Sequence, residues 1–155
     1  MTVSVRPMTE AEFDAWSAAS VAGYAEDIAT ASGMPESDAR AQAEQQWAEY
    51  LPEGRTTPGT WIMRVLDGES PVGSLWLGPH PRRPNLAYVY DIVIDDVAQG
   101  RGLGRAAMLA AEDVVRDAGF RGIGLNVFGF NERARRLYDS LGYSVVSTSM
   151  MKEFD

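Results

Sequence analysis

Three glycines at two-residue spacing, Gly100, Gly102 and Gly104, lie between Gln99 and Arg105, with Arg101 and Arg105 adding positive charge. Apolar residues then recur at helical spacing (Leu103, Ala106, Ala107, Ala110, Val114, Val115), which predicts a helix over Leu103 to Ala118, stopped by Gly119. The glycine run therefore opens a helix. The N–H groups of a first helical turn have no intrahelical partners and sit at the positive end of the helix dipole. Glycines remove the side chains that would hold a bulky anion away from those donors. The combination is a site for phosphate or pyrophosphate. The glycines alone leave open a plainer alternative, a turn that only packs helix on strand.

Two better-known phosphate motifs do not fit. A Walker loop ends in Gly-Lys-Ser/Thr, and here Gly104 is followed by Arg105 and Ala106. A dinucleotide fingerprint needs Gly-x-Gly-x-x-Gly, but counting from Gly100 its last position is Arg105, and the loop lies too late in the chain.

Two other residues could move protons. Tyr138 follows Asn131 by seven positions, so both fall on one face of a predicted helix. A phenol can donate a proton to a leaving thiolate, although spacing alone favours a half-buried core tyrosine beside Leu137 and Leu141. Asn131 is a natural helix N-cap. Asp91 is the one charge inside the apolar run Ala87 to Ile94, where burial would raise its pKa and make it a better base. It could instead pair with an arginine or face away from any cleft. Tyr88 and Tyr90 lie on the opposite strand face unless a bulge intervenes.

The elements that must position these groups follow from periodicity and turn chemistry. Val3 to Arg6 reads as a short strand. Thr9 and Glu12 form a capping box for a helix to about Ala31, broken by Gly33-Met34-Pro35. A second helix spans about Glu36 to Tyr50. Thr60 to Asp67 and Val72 to Leu77 read as a hairpin closed by Asp67-Gly68-Glu69-Ser70. Ala87 to Ile94 is the strongest strand, apolar enough to predict cover on both faces. Gly122 to Phe128 and Tyr143 to Met151 read as two more strands around a short helix capped by Asn131. Trp16, Trp47, Trp61 and Trp76 are expected in the core. Asn126 is either a buried, paired group or a cleft residue.

The 155 residues suit a single domain, 1–155, of mixed α/β class with helices on the sheet faces. There is no cysteine, which excludes disulfides, thiolate metal sites and a cysteine nucleophile, and which suits a reducing cytoplasm. The only histidine, His80, sits in a Pro/Arg-rich loop, so histidine metal clusters are excluded as well. No apolar run approaches the ~18 residues of a membrane span, and no signal peptide or anchor is read. The net charge of -8 argues against nucleic acid and anionic membrane as partners, and mildly for a cationic substrate such as an amine.

At the loop the sequence resembles the GNAT superfamily of N-acetyltransferases. The family's Gln/Arg-x-x-Gly-x-Gly/Ala pattern is met by Gln99-Gly100-Arg101-Gly102-Leu103-Gly104. Downstream, Asn131, Ala134, Leu137, Tyr138, Gly142 and Tyr143 are similar to its Asn-x-x-Ala-x-x-Leu-Tyr-x-x-x-Gly-Phe/Tyr signature, in the family's order. The resemblance covers roughly Thr60 to Met151. It implies a mixed, mostly antiparallel sheet of about six or seven strands with about four helices. It implies direct acetyl transfer from acetyl-CoA to a primary amine of a small molecule or peptide, with no metal. The backbone of Ile92, Val93 and Ile94 would hold the pantetheine arm. The segment Gln99, Gly100, Arg101, Gly102, Leu103, Gly104 and Arg105 would hold the pyrophosphate, Asn131 would touch the cofactor, and Tyr138 would protonate the departing thiolate. Some members carry an acidic base near the position of Tyr88. Tyrosine stands here, so that role does not carry over, and Asp91 or a water chain is the candidate. The acceptor site is expected at the first two helices, where Tyr24, Glu26 and Asp27 could attract a cation. Many members pair as homodimers. A non-catalytic acyl-CoA-binding or regulatory module on the same fold is the alternative, and neither the acceptor nor a preference for longer acyl chains is encoded in the motifs.

Overall fold

The computed structural model describes residues 2–155. Nine regular elements follow one another: β1 (Val3–Pro7), α1 (Glu10–Ser32), α2 (Glu36–Tyr50), β2 (Trp61–Asp67), β3 (Ser70–Pro79), β4 (Ala87–Ile94), α3 (Leu103–Asp117), β5 (Ile123–Leu125) and α4 (Glu132–Ser140). The strands form one sheet in chain order, β1-β2-β3-β4-β5. The first four are antiparallel and β5 joins β4 in parallel. No helix among the described residues is long and apolar enough to cross a membrane.

Strand alternation divides the core between the two sheet faces. Val65, Leu75 and Leu77 point toward α3 and pack with Leu103, Ala107, Met108 and Ala111. Ile62 and Trp76 point the other way, toward Trp16 of α1 and Leu51 just past α2. The facing surfaces of α1 and α2 close on Val21, Ala25, Ile28, Ala39 and Ala43. Of the four tryptophans expected inside, Trp16 and Trp76 are buried and Trp47 and Trp61 are half-buried against the core: Trp16, Trp47 and Trp76 form a cluster with ring centroids 4.7 to 5.8 Å apart, and Trp61 packs on Phe120.

The strand β3 is the covered centre, buried from Val72 to Gly78. The expectation that β4 is covered on both faces is corrected, because Val93 is 44% exposed. Backbones approach closely at Gly73, where a Cβ would collide with the Val93 carbonyl oxygen. Two further readings are corrected. The strand expected over Gly122 to Phe128 pairs only from Ile123 to Leu125, and Asn126 is exposed beyond it. The strand expected over Tyr143 to Met151 is absent, so the sheet has five strands rather than six or seven. Strand propensity needs a neighbouring backbone to become a strand, and no strand lies beside this segment.

Candidate active site

The groove forms where β4 and β5 part. The two strands pair only from Ala87 to Val89 on β4, which leaves the rest of that edge, through Ile94, without a strand neighbour. On its other side β4 remains paired with β3 to Ile94, but with a register shift: Trp76 faces Asp91 and Leu77 faces Val89. Tyr90 is the extra residue, so β4 carries a bulge just before Asp91. Tyr90 stacks on Trp76 with centroids 4.8 Å apart. The bulge changes the facing of the side chains after it. Asp91 meets Ser20 on α1, whereas Ile92 and Ile94 line the groove on the α3 side.

The groove has a volume of about 370 Å³ and is bounded by β4, the glycine loop, the start of α3 and one face of α4. It is lined by Ile92, Ile94, Gln99, Gly100, Gly102, Leu103, Gly104, Arg105 and Asn131 of the expected residues, together with Tyr138. Gly100 and Gly102 adopt φ of +81° and +75°, a left-handed conformation that side chains disfavour. Gly102 is the N-cap of α3 and supplies no side chain, and α3 has no side-chain cap at all. The first helical backbone bond here runs from Ala106 N–H to Gly102 C=O at 3.2 Å, so the donors before Ala106 have no helical acceptor. Leu103 itself is a core residue, 1% exposed. Only its backbone can serve the groove.

One expected residue sits differently from the motif's suggestion. The Arg101 guanidinium is held by Asp67 at 2.6 Å and lies outside the groove. The Val93 side chain is exposed on the other strand face and does not line the groove. Glu26 is exposed on α1. In place of Arg101 the structure brings Arg133, which sequence reasoning missed. Its guanidinium donates to Gln99 Oε1 at 3.3 Å from the first turn of α4. Gln99 also donates to the Ile94 carbonyl at 3.0 Å, so this one side chain ties the end of β4 to α4 across the groove. Arg105 donates to Ser140 Oγ at 2.9 Å and stays in the lining. Arg133 lies two residues past Asn131, within the downstream motif, and that position was the only signal available for it.

Asn131 caps α4 by accepting from the Ala134 N–H at 3.3 Å and also lines the groove. The cap aims α4 so that Ala134, Leu137 and Tyr138 face inward. Burial holds the Tyr138 phenol protonated beyond its ordinary range, and the nearby Asp91 charge adds to this. Burial also raises Asp91, to about 6. The Ser20 hydroxyl, 3.3 Å from Asp91 Oδ2, and the Trp16 indole oppose that rise, and Asp27 reinforces it. Asp91 is not paired with any arginine among the described residues. On the α1 and α2 side of the sheet lies a tyrosine-rich wall. Tyr24 donates to Gln46 at 2.7 Å, and the Tyr50, Tyr88 and Tyr90 rings lie within 4.9 to 5.0 Å of their neighbours. Asp27 is raised by burial at the same end of α1. His80 is a loop brace, its Nδ1 accepting from the Arg82 and Arg83 N–H groups at 3.1 Å.

The sequence model of the acetyltransferase (GNAT) family matches residues 21–143, most of the chain. The chain belongs to this family. The uncharacterized N-acetyltransferase YycN of Bacillus subtilis is 30% identical over 156 residues, covering 99% of each chain. The crystal structure of YycN superposes with a TM-score of 0.91 over 99% of both chains. Mycothiol acetyltransferase of Rhodococcus jostii is 35% identical over 112 residues, 69% of this chain and 37% of that enzyme. A structure of AAC(6')-Iy in complex with a bisubstrate analogue containing CoA shares the fold at a TM-score of 0.60 and 12% identity. This family member is an acyltransferase. Members of the family generally use acetyl-CoA.

Proposed function

We propose that the protein transfers acetyl from acetyl-CoA directly to a primary amine of a small molecule or peptide. The observation that carries this reading is the groove between the parted strands, which brings the uncapped start of α3 and Tyr138 together, with Asp91 near enough for its charge to raise the Tyr138 phenol. The pyrophosphate would rest on the N–H groups between Gly100 and Arg105, with Arg105 and Arg133 beside it. The pantetheine arm would run along the open edge of β4 at Ile92 to Ile94, as an added strand does. Val93 would contribute its backbone only.

The acceptor would enter from the tyrosine-rich wall, where Asp27 and Asp91 favour a cation. Asp91, ionised above about pH 6, accepts a proton from the ammonium form. The free amine attacks the thioester carbonyl, the addition intermediate gives its second N–H proton to solvent water, the carbon–sulfur bond breaks, and the thiolate takes the Tyr138 proton. Amide and free CoA leave, and the proton on Asp91 passes through water back to the phenolate. No step of this reading runs through a metal.

The deciding experiment measures thiol release from acetyl-CoA with a panel of polyamines, amino acids, aminoglycosides and peptides, in the parent and in Tyr138→Phe. Amine-dependent release is expected. Tyr138→Phe should lower kcat by ~10²-fold with the acetyl-CoA KM changed less than about threefold. An unchanged kcat removes Tyr138 from the reaction. Binding of acetyl-CoA without release for any amine turns the reading toward a non-catalytic acyl-CoA module.

A further inference from the structure

Two arginines differ from the others in what their side chains touch. Arg6, Arg40, Arg64, Arg101, Arg116 and Arg136 each lie within 4.0 Å of a carboxylate oxygen. Arg105 and Arg133 do not. Among the described residues, theirs are the only guanidinium groups whose side-chain hydrogen bonds all go to neutral oxygens, Ser140 Oγ at 2.9 Å and Gln99 Oε1 at 3.3 Å. A chain with 22 acidic residues and a net charge of -8 has carboxylates to spare. Both exceptions line the groove. A guanidinium on a carboxylate is already neutralised. One resting on a neutral oxygen keeps its charge for an incoming phosphate, with which it makes stronger, charge-assisted bonds.

The two arginines hold different places. Arg105 belongs to the first turn of α3, within the row of free N–H donors, and reaches the last residue of α4. Arg133 stands in the first turn of α4, on the opposite wall, and meets Gln99 just ahead of that row. The Gln99 amide nitrogen donates to the Ile94 carbonyl and to Asp96 Oδ1, which leaves Oε1 turned toward Arg133. The guanidinium is thus held at the groove before any ligand arrives. Arg133 and Ser140, the two points on α4, are seven positions apart, roughly 10 Å along the helix axis. Two cations so separated suit two anionic groups better than one.

Acetyl-CoA carries two. Besides the pyrophosphate it has a phosphomonoester on the 3′ oxygen of its ribose, one sugar away. That group bears about two negative charges at neutral pH and offers three oxygens to a guanidinium fork.

We propose that Arg133 binds the 3′-phosphomonoester of acetyl-CoA and selects this donor over acetyl-3′-dephospho-CoA, while Arg105 stays with the pyrophosphate. The assignment rests on acetyl-CoA being the donor. It adds a determinant of donor choice that neither the glycine loop nor Tyr138 supplies.

Isothermal titration of acetyl-CoA and of acetyl-3′-dephospho-CoA into the parent, Arg133→Ala and Arg105→Ala separates the two contacts. Each variant is its own control, because only the donor changes. The parent should bind acetyl-CoA about tenfold more tightly than the dephospho donor. Arg133→Ala should reduce that preference below about twofold by losing affinity for acetyl-CoA alone. Arg105→Ala should weaken both donors by the same factor and keep the preference. Equal parent affinities for the two donors overturn the proposal and leave acetyl-CoA binding intact. An Arg133→Ala variant that keeps the tenfold preference places Arg133 on the pyrophosphate or off the ligand, and overturns it as well. A preference abolished by Arg105→Ala instead reverses the assignment and overturns it. If neither donor binds the parent, acetyl-CoA is not the donor, and the reading on which the proposal rests fails with it.

Discussion

At the start of α1, Thr9 Oγ1 accepts from the Glu12 N–H at 3.2 Å, and Glu12 Oε1 accepts from the Thr9 N–H at 2.9 Å. Arg6 then clamps the Glu12 carboxylate through two bonds of 2.8 and 3.0 Å. At the start of α3, Gly102 stands in the cap position and no side chain reaches the free donors. Both helices present the same partial positive charge. One is neutralised from within the chain and contributes to stability. The other is left unanswered, with a groove in front of it, and is available to an anion from solution. An uncapped helix start forgoes about 1 kcal/mol, and here the open donors coincide with the groove.

The contrast is broken most severely at Gly102. Valine there must adopt a φ near +75°, which β-branched residues strongly disfavour, and it adds a side chain at a position that lines the groove. Gly102→Val should weaken acetyl-CoA binding by ~100-fold or more in isothermal titration. A change below about threefold would show that the open helix start is not where the pyrophosphate binds.

The carboxylates of the two regions differ in the same sense. The Arg6 hydrogen bond, followed by the Thr9 N–H, holds Glu12 down to about 2, whereas burial lifts Asp91 to about 6. A base poised near neutrality is useful, and a fully ionised structural carboxylate is not. Asp91→Asn should lower kcat/KM by ~10- to 100-fold at pH 7.5 and erase the rise in rate through pH 6. Stability should move the other way. The folded pKa of Asp91 lies above its ordinary 3.8, so the folded chain binds more protons between pH 4 and 6 and loses stability as pH rises through that window. Removing the charge should therefore raise Tm at pH 8 and leave it nearly unchanged at pH 4. Melting curves at both values, together with a pH–rate profile, check the pair. A profile that keeps its limb near pH 6 assigns that limb to another group.

What was legible in the sequence was local. The β4 boundaries, the glycine loop, the start of α3 and the Asn131 cap all depend on a few adjacent residues, and the structure has them where spacing places them. What was not legible depends on distant partners. Arg101 looks like a phosphate ligand until Asp67, 34 positions earlier, is seen to hold it. The bulge at Tyr90, which sends Asp91 toward α1, is set by register against Trp76 and Leu77. Tyr143 to Met151 has strand composition, but whether it becomes a strand depends on an edge that its own chain does not bring to it. Registers and side-chain partners are tertiary facts, and periodicity carries no record of them.

The same distance effect sharpens the comparison at the arginines. Arg133 lines the groove and touches Gln99, while Arg101 is occupied by Asp67. Arg133→Ala should raise the acetyl-CoA Kd by about tenfold, the worth of one charge-assisted contact to phosphate. Arg101→Ala should raise it by less than about twofold beyond any loss of loop stability. Equal effects would mean that Arg101 leaves Asp67 when the ligand arrives.

The smallest effect belongs to the sealed helix. Thr9→Ala removes the hydroxyl that satisfies the Glu12 N–H, and should cost about 1 kcal/mol, or ~2–4 °C in Tm for a chain of this size. Acetyl-CoA affinity should not change, because Thr9 and Glu12 do not line the groove. The pH dependence gives a second signature. The folded pKa of Glu12 is depressed below its ordinary 4.5 to about 2, so its contribution is present above about pH 4.5 and lost as pH falls through that interval. Glu12 lies near the surface, where solvent and salt weaken the ion pair, so the acid loss should be small and should shrink further at high ionic strength. The Thr9→Ala penalty should shrink less with salt, since one of its two partners is a neutral hydroxyl. If thermal melts in low and high salt showed the whole capping-box contribution vanishing with ionic strength, the seal on α1 would be the Arg6 charge alone, and the difference between the two helix starts would lie in the arginine rather than in threonine versus glycine.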